Sequence, residues 1–558
     1  MKDWTHGITR RGFLSGLAVA GITPVAQRVA RAFPDAAPQK KWTGDNFEEA
    51  HEIMRNPYRF LQDPSAWVRH DEMRDVVIVG GGMAGLTTAF LLRDRNVLLL
   101  EREPQTGGVS KSGNWNGIEY SIGAAYMIDP EPEEGDPPDP NFDLLLELGL
   151  RKKGEKLDKE RNLERRWSGS ENHVLFTNTE AFSEEEIYSK QNIEFFEHVN
   201  DEGPTPDIPP TDPKLVEQLD SISYKQFLYD AKLQESIWKK TLGRLSPRAR
   251  EATEYYFWGA FGTNTWETSA YHGLNFFAAE FGNILVFPGG NSFIAKRLTQ
   301  RIRQRNPQLI ETGHYVLEIE PEKDKRSWSV LAYHEGKVHR YQARAVVFSS
   351  PLFLAKRMIP NLPDDQRRAM DSLDYRSFVV ANVLLRNRID EIFSNEKIRN
   401  GYELTRMHNV DVQRQMPEVL NGQKVFSDIC SADFASWRST PYAVLTVYRP
   451  FPYAHGRDRL RYLTYEYVEA EVRKAILEGL SHHGLKDTHI EEIRLARWGH
   501  PMIIPRPGQM APGGVLETAR QSQPGLYFAH TDIQGAPAIE NALASARTAV
   551  EDVNKYLG

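Results

Sequence analysis

The chain has 558 residues, long enough for two domains with cores of their own. A net charge of −7 and an isoelectric point near 6.2, with no basic cluster, argue against a nucleic-acid partner. Its single cysteine, Cys430, excludes an intrachain disulfide, a thiolate metal cluster and a catalytic dithiol.

The first 32 residues have the form of an export leader. Thr9-Arg10-Arg11-Gly12-Phe13-Leu14 matches the twin-arginine pattern, an apolar stretch runs from Leu14 to Ala26, and Ala30-Arg31-Ala32 offers a small-x-small cleavage site. That stretch is shorter than the about 20 residues a membrane span needs, and nothing beyond the leader is apolar enough to be one. The pattern predicts transport of a folded protein by the twin-arginine translocase, to the periplasm or the cell exterior. Residues 33–73 follow as an N-terminal arm with little strand character.

Residues 75–108 carry most of the functional information. The unbroken apolar run 76–79 suits a strand buried on both faces of a parallel sheet. Gly80, Gly82 and Gly85 then form G-x-G-x-x-G: a tight turn, a close backbone approach to a pyrophosphate, and close helix-on-strand packing. A helix from Leu86 onward would hold phosphates at its N-terminus. A second strand at 97–100 ends in Glu101, 21 residues after Gly80, where an acid accepts from a ribose hydroxyl. Strand, helix, strand and acid in register predict dinucleotide binding. A second glycine pair, Gly107-Gly108, comes six residues after Glu101.

Residues 129–140 and 201–213 are acidic and proline-rich, as surface loops are. Helical stretches at 213–231 and 248–260 suggest an inserted domain. The aromatic run 255–277 reads either as core or as the wall of a hydrophobic tunnel. Residues 287–302 (FPGGNSFIAKRLTQRI) have the form of a loop, a cap and a helix, and 315–347 that of strands with a turn at Glu335-Gly336. Residues 361–490 mix strands and helices as a second insertion. The chain ends with a short apolar strand (526–529), Asp532, a small-residue loop, and a helix on which Ile539, Leu543, Ala546, Val550, Val553 and Leu557 recur at helical spacing. No HExxH, metal-ligand set or internal repeat stands out.

The glycine segment, GIEYSIGAAYM (117–127), YVLEIE (315–320), AVVFSSP (345–351) and the C-terminal block together resemble the flavin-containing amine oxidase family, whose broader relatives include phytoene desaturases and protoporphyrinogen oxidase. The resemblance implies an α/β fold with FAD as cofactor. A discontinuous Rossmann-like FAD-binding domain would span 74–135, 283–360 and 494–558, and an inserted α+β substrate domain 136–282 and 361–493. The cofactor-binding positions it implies are Gly80, Gly82, Met83, Ala84, Gly85, Glu101, Arg102, Gly107, Gly108, Gly123, Ala124, Ala125, Val316, Asp532 and Ile539. For catalysis it points to Lys356, five residues after Pro351, as the lysine that holds a water beside flavin N5. Tyr126 would line the substrate cavity. His500, in Trp498-Gly499-His500-Pro501, would be either a base or ligand contact or a hydrogen-bonded loop histidine.

Three departures stand out. Val109 replaces an arginine, Ser121 replaces an acid, and Ala538 stands where monoamine oxidases carry a tyrosine of their aromatic cage. His530 stands where relatives commonly have glycine. No cysteine lies near the flavin loop, so FAD is expected to be non-covalent unless a histidine links it. The first functional reading is oxidation of the C–N bond of an amine, a secondary amine or polyamine, by hydride transfer to flavin N5. A carotenoid- or terpenoid-type desaturase or dehydrogenase acting on an apolar substrate is the alternative, and a non-catalytic flavin-binding protein a third. Oxygen, a quinone or a periplasmic cytochrome could each be the electron acceptor.

Overall fold

Two runs of branched residues, 76–79 and 97–100, are almost wholly excluded from solvent and lie side by side as parallel strands. The computed structural model that shows this describes residues 41–132, 139–153, 166–168, 172–201, 212–279, 281, 284–323, 326–408, 426, 428–435, 440–451 and 456–558. The leader with Arg10 and Arg11 lies outside these residues, as do half of the first proline-rich loop and most of the second.

The first sheet has seven strands. Its path runs Ile310–Thr312, Val97–Glu101, Val68–Val79, Lys337–Phe348, Trp328–His334 and Tyr315–Pro321, and Leu526–Phe528 also pairs with Lys337–Phe348. The strands from Ile310 to Lys337 along this path, and Leu526–Phe528, are parallel; the last two are an antiparallel meander. Helices Met83–Leu91 and Ile539–Leu557 pack on one face, burying Leu86, Ala89, Leu543 and Val553 in one cluster. Val68–Val79 reaches back into the N-terminal arm. Its first half is charged and carries no apolar signal, and its strand form comes from the long pairing with Lys337–Phe348. The arm also supplies helix Phe47–Arg55.

The second sheet has eight strands, in the order Thr43–Gly44, Ile490–Ile503, Tyr375–Leu385, Ala443–Pro450, Asp428–Ser431, Glu403–Arg406, His173–Phe176 and Ala181–Ser183. Alternation gives this sheet two unlike faces. Val379, Ala381, Val383, Ile429, Leu445 and Val447 pack with Val468, Val472 and Ile476 of helix Tyr465–Leu480. The opposite face carries Glu403, Thr405, Asp428, Cys430, Thr446 and Tyr448, as the cross-strand register requires.

The aromatic tract is core. Helix Pro247–Phe261 starts at a Ser246 cap that accepts from Ala249 N, and stops at Gly262 in the left-handed region. Phe257 stacks on Tyr224 at 4.6 Å, and Phe277 meets Phe196 edge-on at 4.8 Å, so these rings fill one interior rather than line an opening. Among the described residues no helix is long and apolar enough to cross a membrane, and no group of three ligating side chains could hold a metal.

Candidate functional site

Val68–Val79 hands over to helix Met83–Leu91 through a turn that tolerates no side chains at two positions. Gly80 has φ +109°, and a Cβ on Gly85 would lie 1.9 Å from the Gly80 carbonyl oxygen. Gly82 differs. A Cβ there would meet only Gly108 Cα, at 3.9 Å, because Gly82 and Gly108 face each other across a gap. Gly107 N donates to Gly81 O (2.7 Å), holding the two glycine segments in register. Gly82 caps the helix without a side-chain bond, so the first-turn amides of Met83, Ala84 and Gly85 open onto that gap. This is a cradle for an anion.

Glu101 closes one end. It is buried, with Oε2 accepting from Gly81 N at 2.7 Å and Oε1 from Glu103 N at 2.8 Å. The two amides fix the carboxylate beside the cradle and leave it lone pairs for a ribose diol. Val316 sits nearby at a bulge in Tyr315–Pro321, on the strap whose His314 N donates to Glu101 O. Arg102 turns the other way, to Asp45 (3.2 Å) and Glu103 (3.5 Å).

The other end is the 121–126 segment, pinned from three sides. Ser121 Oγ donates to Ala124 O and accepts from Gly123 N, so the serine found in place of an acid orients this turn. Asn291 N donates to Ala124 O (3.1 Å), and Asn291 Nδ2 donates to Tyr126 O (2.6 Å). Tyr448 OH donates to Gly123 O (2.7 Å) from the polar face of the eight-stranded sheet. A Cβ on Gly123 would lie 1.8 Å from Val109 O, so the segment runs hard against the residue that follows Gly108. Asn291 Oδ1 is buried with no partner, an acceptor of the kind a ligand N–H satisfies. Neither Asn291 nor Tyr448 belongs to a motif visible in the sequence. Asn291 announces itself only as the residue before helix Ser292–Arg305, and Tyr448 reaches the site from 325 residues away.

The remaining predicted residues are placed as follows. Asp532, 1% exposed, accepts from Leu352 N (2.9 Å) and Tyr375 OH (2.6 Å), and lies 3.0 Å from His530 Nδ1. Burial alone would raise its pKa, but His530, Tyr375 and the Leu352 amide outweigh that and hold it below the ordinary carboxylate value. His530, unexplained by sequence, stands at the N-cap of the turn Thr531–Gln534, with Nδ1 3.2 Å from Asp532 N. Ile539 begins the C-terminal helix, where Glu540 accepts from Ile128 N and burial raises its pKa to about 7. Tyr126 is half-buried, edge-on to Tyr402 at 6.2 Å.

His500 packs on Phe353 at 4.6 Å; desolvation first, then Arg457, lowers its pKa to about 4. It is neutral at pH 7 and a weak base. Lys356 sits on helix Leu352–Met358 and pairs with Asp371 of the next helix, the two side chains 24% and 59% exposed. Exposed pairs contribute about 0–1 kcal/mol. Lys356→Met is therefore expected to leave FAD content and both flavin half-reactions within about twofold of wild type by stopped flow. A much slower reoxidation would instead place the ammonium at the flavin.

On the polar face, a hydrogen-bond chain runs across three strands. Glu184 Oε1 meets His173 Nδ1 at 2.7 Å, His173 Nε2 meets Thr405 Oγ1 at 3.0 Å, and Thr405 donates to Asp428 Oδ1 at 3.1 Å. Thr405 has one proton and gives it to Asp428. His173 Nε2 is then the donor to Thr405 Oγ1. Gly259 makes room for this carboxylate, since a Cβ there would lie 1.8 Å from Asp428 Oδ2. Burial first, then Cys430, Glu403 and Asp428, push the Tyr448 phenol well above its usual range.

A sequence profile of flavin containing amine oxidoreductases matches residues 83–554, most of the chain. The chain belongs to that family. It is an FAD-dependent oxidoreductase, and the cradle, the Glu101 carboxylate and the orphaned Asn291 acceptor fit that cofactor. Oxidoreductase PigB of Serratia sp. (strain ATCC 39006) is 22% identical over 529 residues, 87% of this chain and 75% of that protein. Protoporphyrinogen oxidase 2, chloroplastic/mitochondrial, of Arabidopsis thaliana is 39% identical over 80 residues, 14% of each chain. Among solved structures, cyclohexylamine oxidase from Brevibacterium oxydans IH-35A superposes with a TM-score of 0.60 at 15% identity, covering 87% of this chain and 100% of that one. Wild-type putrescine oxidase bound to putrescine gives 0.59 at 16% identity, covering 87% and 99%. At these identities the superpositions speak for the fold, and this family fold carries the flavin site described above.

Proposed function

We propose that this flavoenzyme oxidises an amine at its C–N bond, with Asp428 and Glu403 drawing the substrate's ammonium to the polar face of the eight-stranded sheet. Bound FAD supplies the hydride acceptor. The chain's own residues bind, orient and exclude water. The observation that carries the reading is the buried Asp428 carboxyl group, held by Thr405 and in electrostatic range of Tyr448, which itself holds the Gly123 carbonyl. A buried carboxylate of this kind favours a cation over an alcohol or hydrocarbon of the same shape. The rings of Tyr126, Tyr402 and Phe434, packed with Ile284 and Val286, suit the apolar part of such a substrate. Tyr448 keeps its proton at neutral pH and serves as a fixed donor to the Gly123 backbone.

Removing that charge tests the proposal. Charged hydrogen bonds contribute about 1.5–3 kcal/mol, so Asp428→Asn is expected to lower kcat/KM for primary amines by about 10- to 100-fold. FAD content should not change. Steady-state kinetics with a monoamine and a diamine would show it, and an unaltered kcat/KM would remove Asp428 from substrate recognition.

We further propose that the chain is exported in its folded, FAD-loaded form by the twin-arginine route. The support is the pattern around Arg10 and Arg11. Changing both to lysine is expected to trap active, yellow protein in the cytoplasm. Fractionation that finds the doubly substituted protein still exported would refute this.

A further inference from the structure

Four histidines from four segments of the seven-stranded sheet gather beside the Glu101 end of the cradle. His314 and His334 stack with ring centroids 4.0 Å apart, and His339 lies 5.6 Å and 5.8 Å from them. His70 Nε2 is 3.1 Å from His339 Nδ1, and the His70 ring stacks on Tyr341. Three groups temper the cluster. Glu311 accepts from Tyr341 OH (2.6 Å) and lies 3.3 Å from His314 Nε2; Glu335 is 4.0 Å from His334 Nε2; and Arg74 acts on Tyr341 from the neighbouring strand.

The contact between His70 and His339 favours a neutral pair. His70 and His339 can share a hydrogen bond only while one of the two facing nitrogens lacks a proton. A second proton there sets N–H against N–H. His314 Nδ1 meets Thr312 O at 2.9 Å and His334 Nδ1 meets Gly313 O at 3.0 Å, so both rings are tied to the strap backbone. Burial first, and the neighbouring histidines after it, lower the pKa of His314 and His339, against the opposing pull of Glu311. Charging His314 or His339 is therefore disfavoured while the cluster is closed.

The same strap holds the cofactor end. Thr312 pairs with Glu101 in parallel register, Gly313 N donates to Glu103 O, and His314 N donates to Glu101 O. Val316 follows two residues later. We propose that these four histidines make the grip on FAD labile to acid: protonation drives the rings apart, shifts the 312–316 strap and loosens the seat at Glu101. The sign follows from proton linkage. Because charging is disfavoured while the strap is closed, the FAD-released state binds more protons below pH about 6.5, and affinity falls as pH falls.

The test uses the holoenzyme. FAD release is followed by the fluorescence of free flavin from pH about 8 to about 5, with far-ultraviolet circular dichroism recorded in parallel. The wild type is expected to show a dissociation constant that rises about a hundredfold per pH unit below pH 6.5, the slope of two coupled protons, while the fold persists. His70→Gln with His334→Gln is expected to cut that slope to about tenfold or less and to leave affinity at pH 7.5 unchanged. If the double variant does not fold, His334→Gln alone and the wild-type slope carry the test. A pH-independent wild-type constant, a variant slope equal to wild type, or release that only accompanies unfolding would each overturn the proposal.

Discussion

Gly82→Val is expected to fold and to be colourless. The two demands separate at this position because a Cβ on Gly82 meets only Gly108 Cα, at 3.9 Å, in an otherwise open gap. The gap is the space a pyrophosphate needs, and the valine methyls would fill it. Gly85 is the control. Its Cβ would lie 1.9 Å from Gly80 O, so even Gly85→Ala should damage the turn itself and the fold with it. A ligand present at a thousandfold above its dissociation constant adds about 4 kcal/mol of stability. Gly82→Val should therefore melt at the temperature of wild-type apoprotein, well below holoprotein. Flavin absorbance and thermal unfolding of the two variants settle the point, and a yellow, tightly loaded Gly82→Val would place the pyrophosphate elsewhere.

Asp532→Ala should cost about 4 kcal/mol even though no step of the chemistry needs the carboxylate. Alanine leaves the Leu352 amide and the Tyr375 hydroxyl buried without acceptors, and each such orphan costs about 1–3 kcal/mol. Asp532→Asn keeps one acceptor oxygen and should cost less. The pH dependence has a definite sign. Because the folded state holds the Asp532 pKa below its ordinary value, its contribution is complete above the unfolded pKa near 3.9 and disappears as pH falls through the lower, folded value. Urea melts across that acid range should show wild type losing stability that Asp532→Ala never had. Equal urea midpoints at pH 7 would contradict this account of Asp532.

Local chemistry made the cradle legible in the chain. Three glycines, an acid at the right spacing and an apolar strand announce themselves within 34 residues, and Gly80, Gly85 and Glu101 meet in the structure as that spacing requires. Long-range partners were hidden. Ser121 reads as a departure from a pattern, yet its hydroxyl does the orienting that the segment needs. Tyr448 and the Glu184–His173–Thr405–Asp428 chain come from segments whose meeting depends on register in the eight-stranded sheet, which no periodicity encodes, and Asn291 comes from a helix cap that belongs to no motif. The strand Ile490–Ile503 lies in that sheet, and Thr43–Gly44 joins its edge, a two-residue pairing too short to leave a signal. The aromatic run 255–277 could be read two ways because burial, not composition, separates core from tunnel.

The most direct measurement mixes holoenzyme with primary amines, secondary amines, polyamines and isoprenoids without oxygen and follows the flavin absorbance. The account predicts saturable bleaching by an amine, markedly weakened in Asp428→Asn and absent with the alcohol of the same shape. Bleaching by an isoprenoid and by no amine, or by none of these compounds, would contradict it.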